Sequence, residues 1–242
     1  RYPWELLEDR WAEGQRPLGL ERGVLRQLEV PEHRQKVEIT AERSALLIGD
    51  PQTNGFAPPL PGAAREVKAV ERCLSGRSFT VTCEVHADAH ATLTALHADA
   101  YRILHLAGHG VHHFLLAETD RPAGAAARRV SGMVIGEGVF LTAAAVEQMR
   151  RVPELVFINC CHLARTDAPR PDLTGHFHRF AANVAAQFIR MGVRAVIAAG
   201  WAVDDAAAET FATTFYGHLL DGLPFGQAVL RARREIGRAS CR

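Results

Sequence analysis

The chain has 242 residues, enough for one large domain or two small ones with an ordinary core. Hydrophobic residues at 48% against charged residues at 23% exclude a disordered chain. A formal net charge of +1, with both signs interspersed, excludes the one-signed field that a nucleic-acid or membrane-surface partner would require.

In chain order, residues 1–44 are the least patterned. A short helix over 4–11 and strands over 23–30 and 36–40 fit the pattern, and the segment is expected to pack as a lead-in on the domain that follows. The rhythm becomes regular at 45–49 (ALLIG), a strand that stops at Asp50-Pro51. Residues 62–75 place Ala64, Val67, Val70 and Leu74 on one helical face, and 79–85 alternate at period two. A capped helix over 88–97 turns Ala91, Leu93 and Leu96 inward. Residues 101–107 then form a buried strand that Gly108 breaks. The stretch 111–138 reads as a loop with a hairpin around 133–135; its Arg128-Arg129 dibasic would suit a lid or a processing site. Thr142 caps a helix to Met149. A strand over 154–159 lacks alternation, as expected when both faces are covered. A loop over 163–178, a helix over 180–191, a strand over 195–199 and helices over 205–220 and 225–234 complete the series. This alternation predicts an α/β fold, with a mostly parallel sheet and helices on both faces.

Cysteine is sparse: Cys73, Cys83, Cys160, Cys161 and Cys241 form no disulfide framework, which points to a reducing, cytoplasmic setting. No segment reads as a signal peptide, and no apolar run approaches the ~18 residues of a membrane span. The chain opens on Arg1 rather than Met and is read as a fragment, and 235–242 (EIGRASCR) reads like a translated adapter. The expected organisation is therefore a lead-in over 1–44, a core domain over 45–234 and a non-native tail over 235–242.

In open α/β sheets, reactive groups collect at the C-terminal ends of parallel strands. Two predicted strands end in such groups. Ile103-Leu104-His105-Leu106-Ala107 runs into Gly108-His109-Gly110, and Leu155-Val156-Phe157-Ile158-Asn159 runs into Cys160-Cys161-His162. If these strands are neighbours, a His and a Cys face each other across the edge. The flanking glycines predict a tight, exposed turn at His109, open to close approach by a substrate. Gly110 could present its N–H to a developing oxyanion alongside the N–H of the nucleophile. An imidazole beside a thiol favours the thiolate, which is the attacking species. Cys160 still belongs to the strand and is assigned to the core, whereas Cys161, the first residue beyond it, is assigned as nucleophile. His162 ranks below His109 as the base, because sequence neighbours on an extended turn diverge.

Taken singly, each residue has a structural explanation: a small buried Cys, a satisfied turn His. Their joint placement at one edge is what argues for chemistry. Seven of the twelve His fall between His86 and His113, so a metal site is the rival reading. His105 with His109, or Cys160, Cys161 and His162 with His176 and His178, would be its ligands. None of these spacings is of the CxxC or HExxH type, so neither metal nor other cofactor is expected. His86, His90 and His97 are read as solvated.

Further elements follow in order: Pro3-Trp4-Glu5-Leu6-Leu7, Leu47-Ile48-Gly49-Asp50-Pro51, LPGAAREVKAV over 60–70, and His105-Leu106-Ala107-Gly108-His109-Gly110. After them come VFINCCHL over 156–163, AANVAAQFIRMGVRAVIAAG over 181–200, Trp201-Ala202-Val203-Asp204-Asp205, and FATTFYGH over 211–218. In this order, across residues 3–234, they resemble the CHAT domain, a caspase-like family grouped with separases, caspases and gingipains. The resemblance implies a three-layer α/β/α caspase-like sandwich and a cysteine endopeptidase acting on protein substrates. It sets the family's His on His109 and its Cys on Cys161, with Cys160 at the usual small position. His162 departs from the pattern, standing where many relatives carry Glu or Asp. The 201–205 turn looks like the separase segment that lines the pocket for the residue before the cut. Asp204 or Asp205 would then pair with a basic side chain, and Asp50 is a second candidate. Alternatively, Asp205 simply caps the helix after it. The resemblance also implies a fused or associated helical-repeat regulator of TPR type, upstream of Arg1.

Three functions compete: a regulated endopeptidase, a silent caspase-like scaffold or interaction domain, and a hydrolase of small acyl substrates. A paired His109 and Cys161 speaks against the scaffold. An open, loop-rich edge favours an extended peptide over a small substrate.

Overall fold

The computed structural model describes residues 17–22, 24, 42–115, 129–149, 151–162, 177–199 and 203–239, with the backbone alone for 161, 162, 177–183 and 237–239. Strand β1 (Ser44–Gly49) is buried along its whole length, which is why its sequence is a continuous apolar run. It leads through helix α2 (Pro61–Ser75) to β2 (Thr80–Val85), and through α3 (Ala89–Ala98) to β3 (Ile103–Leu115). A hairpin follows, β4 (Arg129–Gly136) with β5 (Val139–Leu141), then α4 (Ala143–Glu147) and β6 (Leu155–His162). Helix α5 (Phe177–Met191), β7 (Ala195–Ala198), α6 (Asp205–Leu220) and α7 (Phe225–Ala239) complete the domain.

The registers give five parallel strands in the order β2-β1-β3-β6-β7. From β1 the chain steps outward to β2 and then returns past β1 to β3, so the strand order reverses between β1 and β3. In doubly wound sheets that crevice, outside the carboxyl ends of the strands, is where ligands bind. β1 ends opposite Ala107, and the antiparallel β4 takes over that edge of β3 from Gly110 onward.

Strict alternation sorts the side chains into two layers. Leu46, Ile48, Leu104, Leu106, Val156, Ile158 and Cys160 pack on one face with residues of α3, α4 and α5. Ala45, Leu47, Ile103, Ala107, Leu155 and Phe157 pack on the other with α2, α6 and α7. This is the expected three-layer α/β/α architecture with a mostly parallel sheet. Among the described residues no helix is long and apolar enough to cross a membrane.

Local expectations hold where the signal is a cap or a sustained period. Asp88 caps α3 by accepting from Ala91 N at 2.7 Å, Thr142 caps α4 through Ala145 N, and α6 has the expected bounds. Inside α3, however, the buried positions are Thr92, Ala95 and Leu96, with Ala91 and Leu93 only half-buried. His86, His90 and His97 are exposed, as expected.

Two strand ends differ from expectation, and both differences bear on the site. β3 does not break at Gly108 but runs on to Leu115, because β4 supplies hydrogen-bond partners after β1 has ended. Gly108 serves close approach rather than a turn: a Cβ there would lie 2.6 Å from the Met133 side chain and 3.4 Å from Pro51. β6 likewise continues past Asn159 to His162, since β3 accompanies it all the way. Arg129 opens β4 and donates to the His113 carbonyl at 3.0 Å, whereas Arg128 lies outside the described residues. Of the lead-in, helix α1 (Leu18–Glu21) meets α7, where Arg234 donates to the Leu20 and Glu21 carbonyls. The elements expected over 4–11, 23–30 and 36–40 lie outside the described residues apart from Val24, as does the loop over 163–176. α7 continues through the expected tail as far as Ala239.

Leu104 sits on β3 with no exposed surface, whereas Leu115 at the end of the same strand is 51% exposed. Leu104→Ala is expected to cost about 2–5 kcal/mol. Leu115→Ala should stay within about 0.5 kcal/mol. Urea unfolding of the two variants measures the contrast.

Candidate active site

His109 and Cys161 are direct register partners, and the next pairs along are Gly108 with Cys160 and Gly110 with His162. Adjacent parallel strands lie about 4.8 Å apart. By alternation, His109 lies on the face of the sheet that carries α2 and α6, and Cys161 holds the register position beside it. Cys160 belongs to the opposite face, 3% exposed, with its thiol 3.8 Å from the Leu106 carbonyl. The side-by-side meeting of the two strand ends is therefore present, but its local geometry differs from expectation. His109 sits within β3 rather than on an exposed turn, and it is only 8% exposed. Cys161 also lies inside its strand rather than just beyond it.

The imidazole of His109 is oriented by a backbone carbonyl: its Nε2 lies 2.7 Å from Pro58 O. A carbonyl only accepts, so Nε2 carries the hydrogen and Nδ1 keeps the lone pair. Sequence reading found no orienting group, because a carbonyl 51 residues away leaves no side-chain signal.

The loop that supplies this carbonyl is tied down at several points. Thr53 Oγ1 donates to Ala57 O at 2.7 Å and accepts from Ala57 N at 3.2 Å. Phe56 packs edge-on against Phe114 and Phe140, with ring centroids 5.7 and 5.8 Å away. Leu60 N donates to Asp50 Oδ1 at 2.9 Å. Asp50 itself takes a left-handed conformation, φ 45°, that a short acidic side chain tolerates.

The three acidic residues expected near the substrate have different surroundings. Asp50 is 5% exposed, and its Oδ2 is buried without a hydrogen bond. The nearest base to that oxygen is His86 Nδ1 at 3.4 Å, which is an ion-pair contact only, since the same nitrogen lies nearer, at 3.2 Å, to the Asp50 carbonyl oxygen. Asp204, and not Asp205, caps α6, accepting from Ala206 N and Ala207 N at 3.1 Å. Asp205 pairs with Arg65 at 3.3 Å on an exposed surface, where such a pair contributes little stability. Its carboxylate fills the space where a Cβ on Gly62 would lie. Gly110 sits in β3 between β6 and β4.

On the same face, directly behind the dyad, lies a polar cluster that sequence reading missed. His105 Nε2 meets Glu66 Oε1 at 3.1 Å, His105 Nδ1 meets the Tyr216 hydroxyl at 3.2 Å, and Asn159 Nδ2 donates to Glu66 Oε2 at 2.6 Å. Glu66, His105 and Tyr216 are all at most 1% exposed. Burial, and then the Glu66 carboxylate, push the Tyr216 phenol well above its ordinary range. The only sequence hint was a Glu at a position that the apolar spacing of α2 turns inward. His105 is engaged here and Cys160 lies on the other face; His176 and the side chains of Cys161, His162 and His178 lie outside the described residues, among which no three metal-type side chains gather.

Burial raises the Cys73 thiol, and burial followed by the Glu71 carboxylate pushes Cys83 up to about 11 from an ordinary 9.0. Both therefore stay protonated at neutral pH and react slowly. The folded chain keeps the Cys83 proton that the unfolded chain loses. That contribution to stability is complete below about pH 9 and falls as pH rises toward about 11. Urea unfolding across this window should show the decline, and Cys83→Ala should flatten it.

The family model described as CHAT domain matches residues 1–242. No curated protein matches the chain.

Proposed function

The chain belongs to the CHAT domain family, a caspase-like, peptidase-related group, and on that premise we propose that it is a cysteine endopeptidase working through His109 and Cys161. One observation carries the reading: His109 and Cys161 are register partners, and the Nε2–H of His109 is committed to Pro58 O. The remaining ring nitrogen, Nδ1, is then the base. It takes the thiol proton of Cys161, and the thiolate adds to the scissile carbonyl carbon. The N–H groups of Cys161 and Gly110 are the proposed donors to the resulting oxyanion. His109 passes its proton to the leaving amine, and a thioester remains. Water, deprotonated by the same Nδ1, then releases the acid product and the thiol.

A basic residue before the cut is the proposed preference. Asp50 is the best supported of the three acidic candidates, because its buried Oδ2 makes no hydrogen bond. Asp204 and Asp205 remain in the proposal as flanking charges. A protein substrate and a TPR-like regulatory module, resting on the family resemblance, and a cytoplasmic location, resting on the sparse cysteines, complete it.

The test is hydrolysis of a peptide library together with labelling by a small thiol-reactive probe at neutral pH, both in a Cys241→Ser background. Cys161→Ala should lower kcat by about a thousandfold or more and abolish labelling. Cys160→Ala should retain both. Labelling that survives the loss of Cys161 overturns the assignment. Labelling without cleavage of any peptide would favour a silent interaction domain instead.

Asp50→Asn keeps the left-handed backbone and the bond from Leu60 N, and removes only the charge. It should lower kcat/KM for Arg and Lys substrates by roughly 10–100-fold while sparing neutral ones. An equal loss on all substrates would show that Asp50 holds the loop and does not read the substrate.

A further inference from the structure

Three separate elements deliver the parts of the proposed dyad: the loop into α2 carries Pro58 O, β3 carries His109, and β6 carries Cys161. One buried side chain joins all three. Glu66, one turn into α2, takes hydrogen bonds from Asn159 of β6 and His105 of β3. Asn159 precedes Cys161 by two residues on the same face, and its register partner Ala107 precedes His109 by two. We propose that Glu66 and Asn159 are a positioning pair, which sets the separation of α2 from β6 and so the placement of Cys161 against the His109–Pro58 unit. The proposal rests on the dyad reading above.

A carboxylate accepts, so His105 presents Nε2–H to Glu66, and the Tyr216 hydroxyl, which can donate or accept, lies at its Nδ1. His105 is a spacer between Glu66 and Tyr216, stacked on Phe157 at 4.5 Å. The Glu66 carboxylate is buried, and stability alone does not call for it there. Apolar residues of the same volume fill such sites with equal or better stability, whereas directed hydrogen bonds select one arrangement. The Asn159–Glu66 bond, at 2.6 Å, is the short, charge-assisted member of the set. It runs from the layer that holds Pro58 to the strand that holds Cys161. Asn159 Oδ1 is buried and makes no hydrogen bond among the described residues, so Glu66 is the one anchor this amide has there.

The experiment measures kcat and KM on the best peptide, and the alkylation rate of Cys161 from about pH 5 to about pH 9, in the Cys241→Ser background. Asn159→Leu keeps the branched shape and heavy-atom count and removes the bond. It should lower kcat and the alkylation rate by about a hundredfold, as a misplacement near 1 Å does, and leave KM within about twofold. Asn159→Asp places two carboxylates together, which must share a proton. Its activity should therefore fall as pH rises through the pKa of the pair, a profile absent from the wild type. The double variant Glu66→Gln with Asn159→Asp rebuilds every bond: the new amide on α2 would accept from His105 and donate to the new carboxylate on β6. It should return the rates to within about tenfold of wild type.

Rates and pH profiles unchanged in folded Asn159→Leu, judged by circular dichroism and melting, overturn the proposal. So does a double variant that melts like wild type but stays as slow as Asn159→Leu. If Asn159→Leu does not fold, the shape-preserving Asn159→Asp decides by the presence or absence of its new pH limb. The dyad reading fails separately if wild-type Cys161 alkylates with the profile of a free thiol, near pH 8.5, and that outcome removes both.

Discussion

Eight consecutive register pairs join β3 to β6, from Ile103 with Leu155 to Gly110 with His162. Because side chains alternate across a sheet, this one register decides which residues of the two strands share a layer. A slip of one residue would set Cys160 beside His109 and send Cys161 into the opposite core. The register is held by burial on both faces: Leu104, Leu106, Val156 and Ile158 fill one layer, and Ile103, Leu155 and Phe157 the other. Exposing either set to water would forfeit many square ångströms of apolar contact at about 25 cal/mol per Å². The apolar core and the proposed chemistry are thus consequences of the same pairing.

On the α2 and α6 side the interior is not wholly apolar. Four polar residues, Glu66, His105, Asn159 and Tyr216, hydrogen-bond one another in a largely buried region, with Asn159 Oδ1 left without a partner among the described residues. In such surroundings a hydrogen bond is electrostatically stronger, and an unpaired group is costly. That makes the cluster stiff. It also explains the behaviour of the Tyr216 phenol, which burial and the neighbouring carboxylate keep protonated far into the alkaline range.

The loop over 50–60 works on the other side of the dyad. Its contacts with Thr53, the Phe56–Phe114–Phe140 group and Asp50 leave the Pro58 carbonyl little freedom. A carbonyl that faces an imidazole selects a tautomer as well as an orientation. The same hydrogen bond therefore aims the ring and determines which nitrogen carries the hydrogen, an arrangement built into the resting fold.

The elements with strong local signals were legible from the amino-acid sequence: the apolar strand at 45–49, the caps at Asp88 and Thr142, the helix over 205–220, and the layer order they imply. The pairing of His109 with Cys161 was legible too, because each follows an apolar run at the corresponding place in its strand. Sequence could not show that both strands continue past their glycine and asparagine, since an extra neighbour such as β4 is a long-range fact. Nor could it show the Pro58 carbonyl, because every residue has a carbonyl and only the fold selects one. Glu66 and Asn159 read as an ordinary helix residue and an ordinary strand end until α2 is packed on the sheet. Local periodicity and capping chemistry determined the elements and the reactive residue types. Only the tertiary structure, through pairing and burial, decided which distant backbone and buried polar groups hold those residues in place.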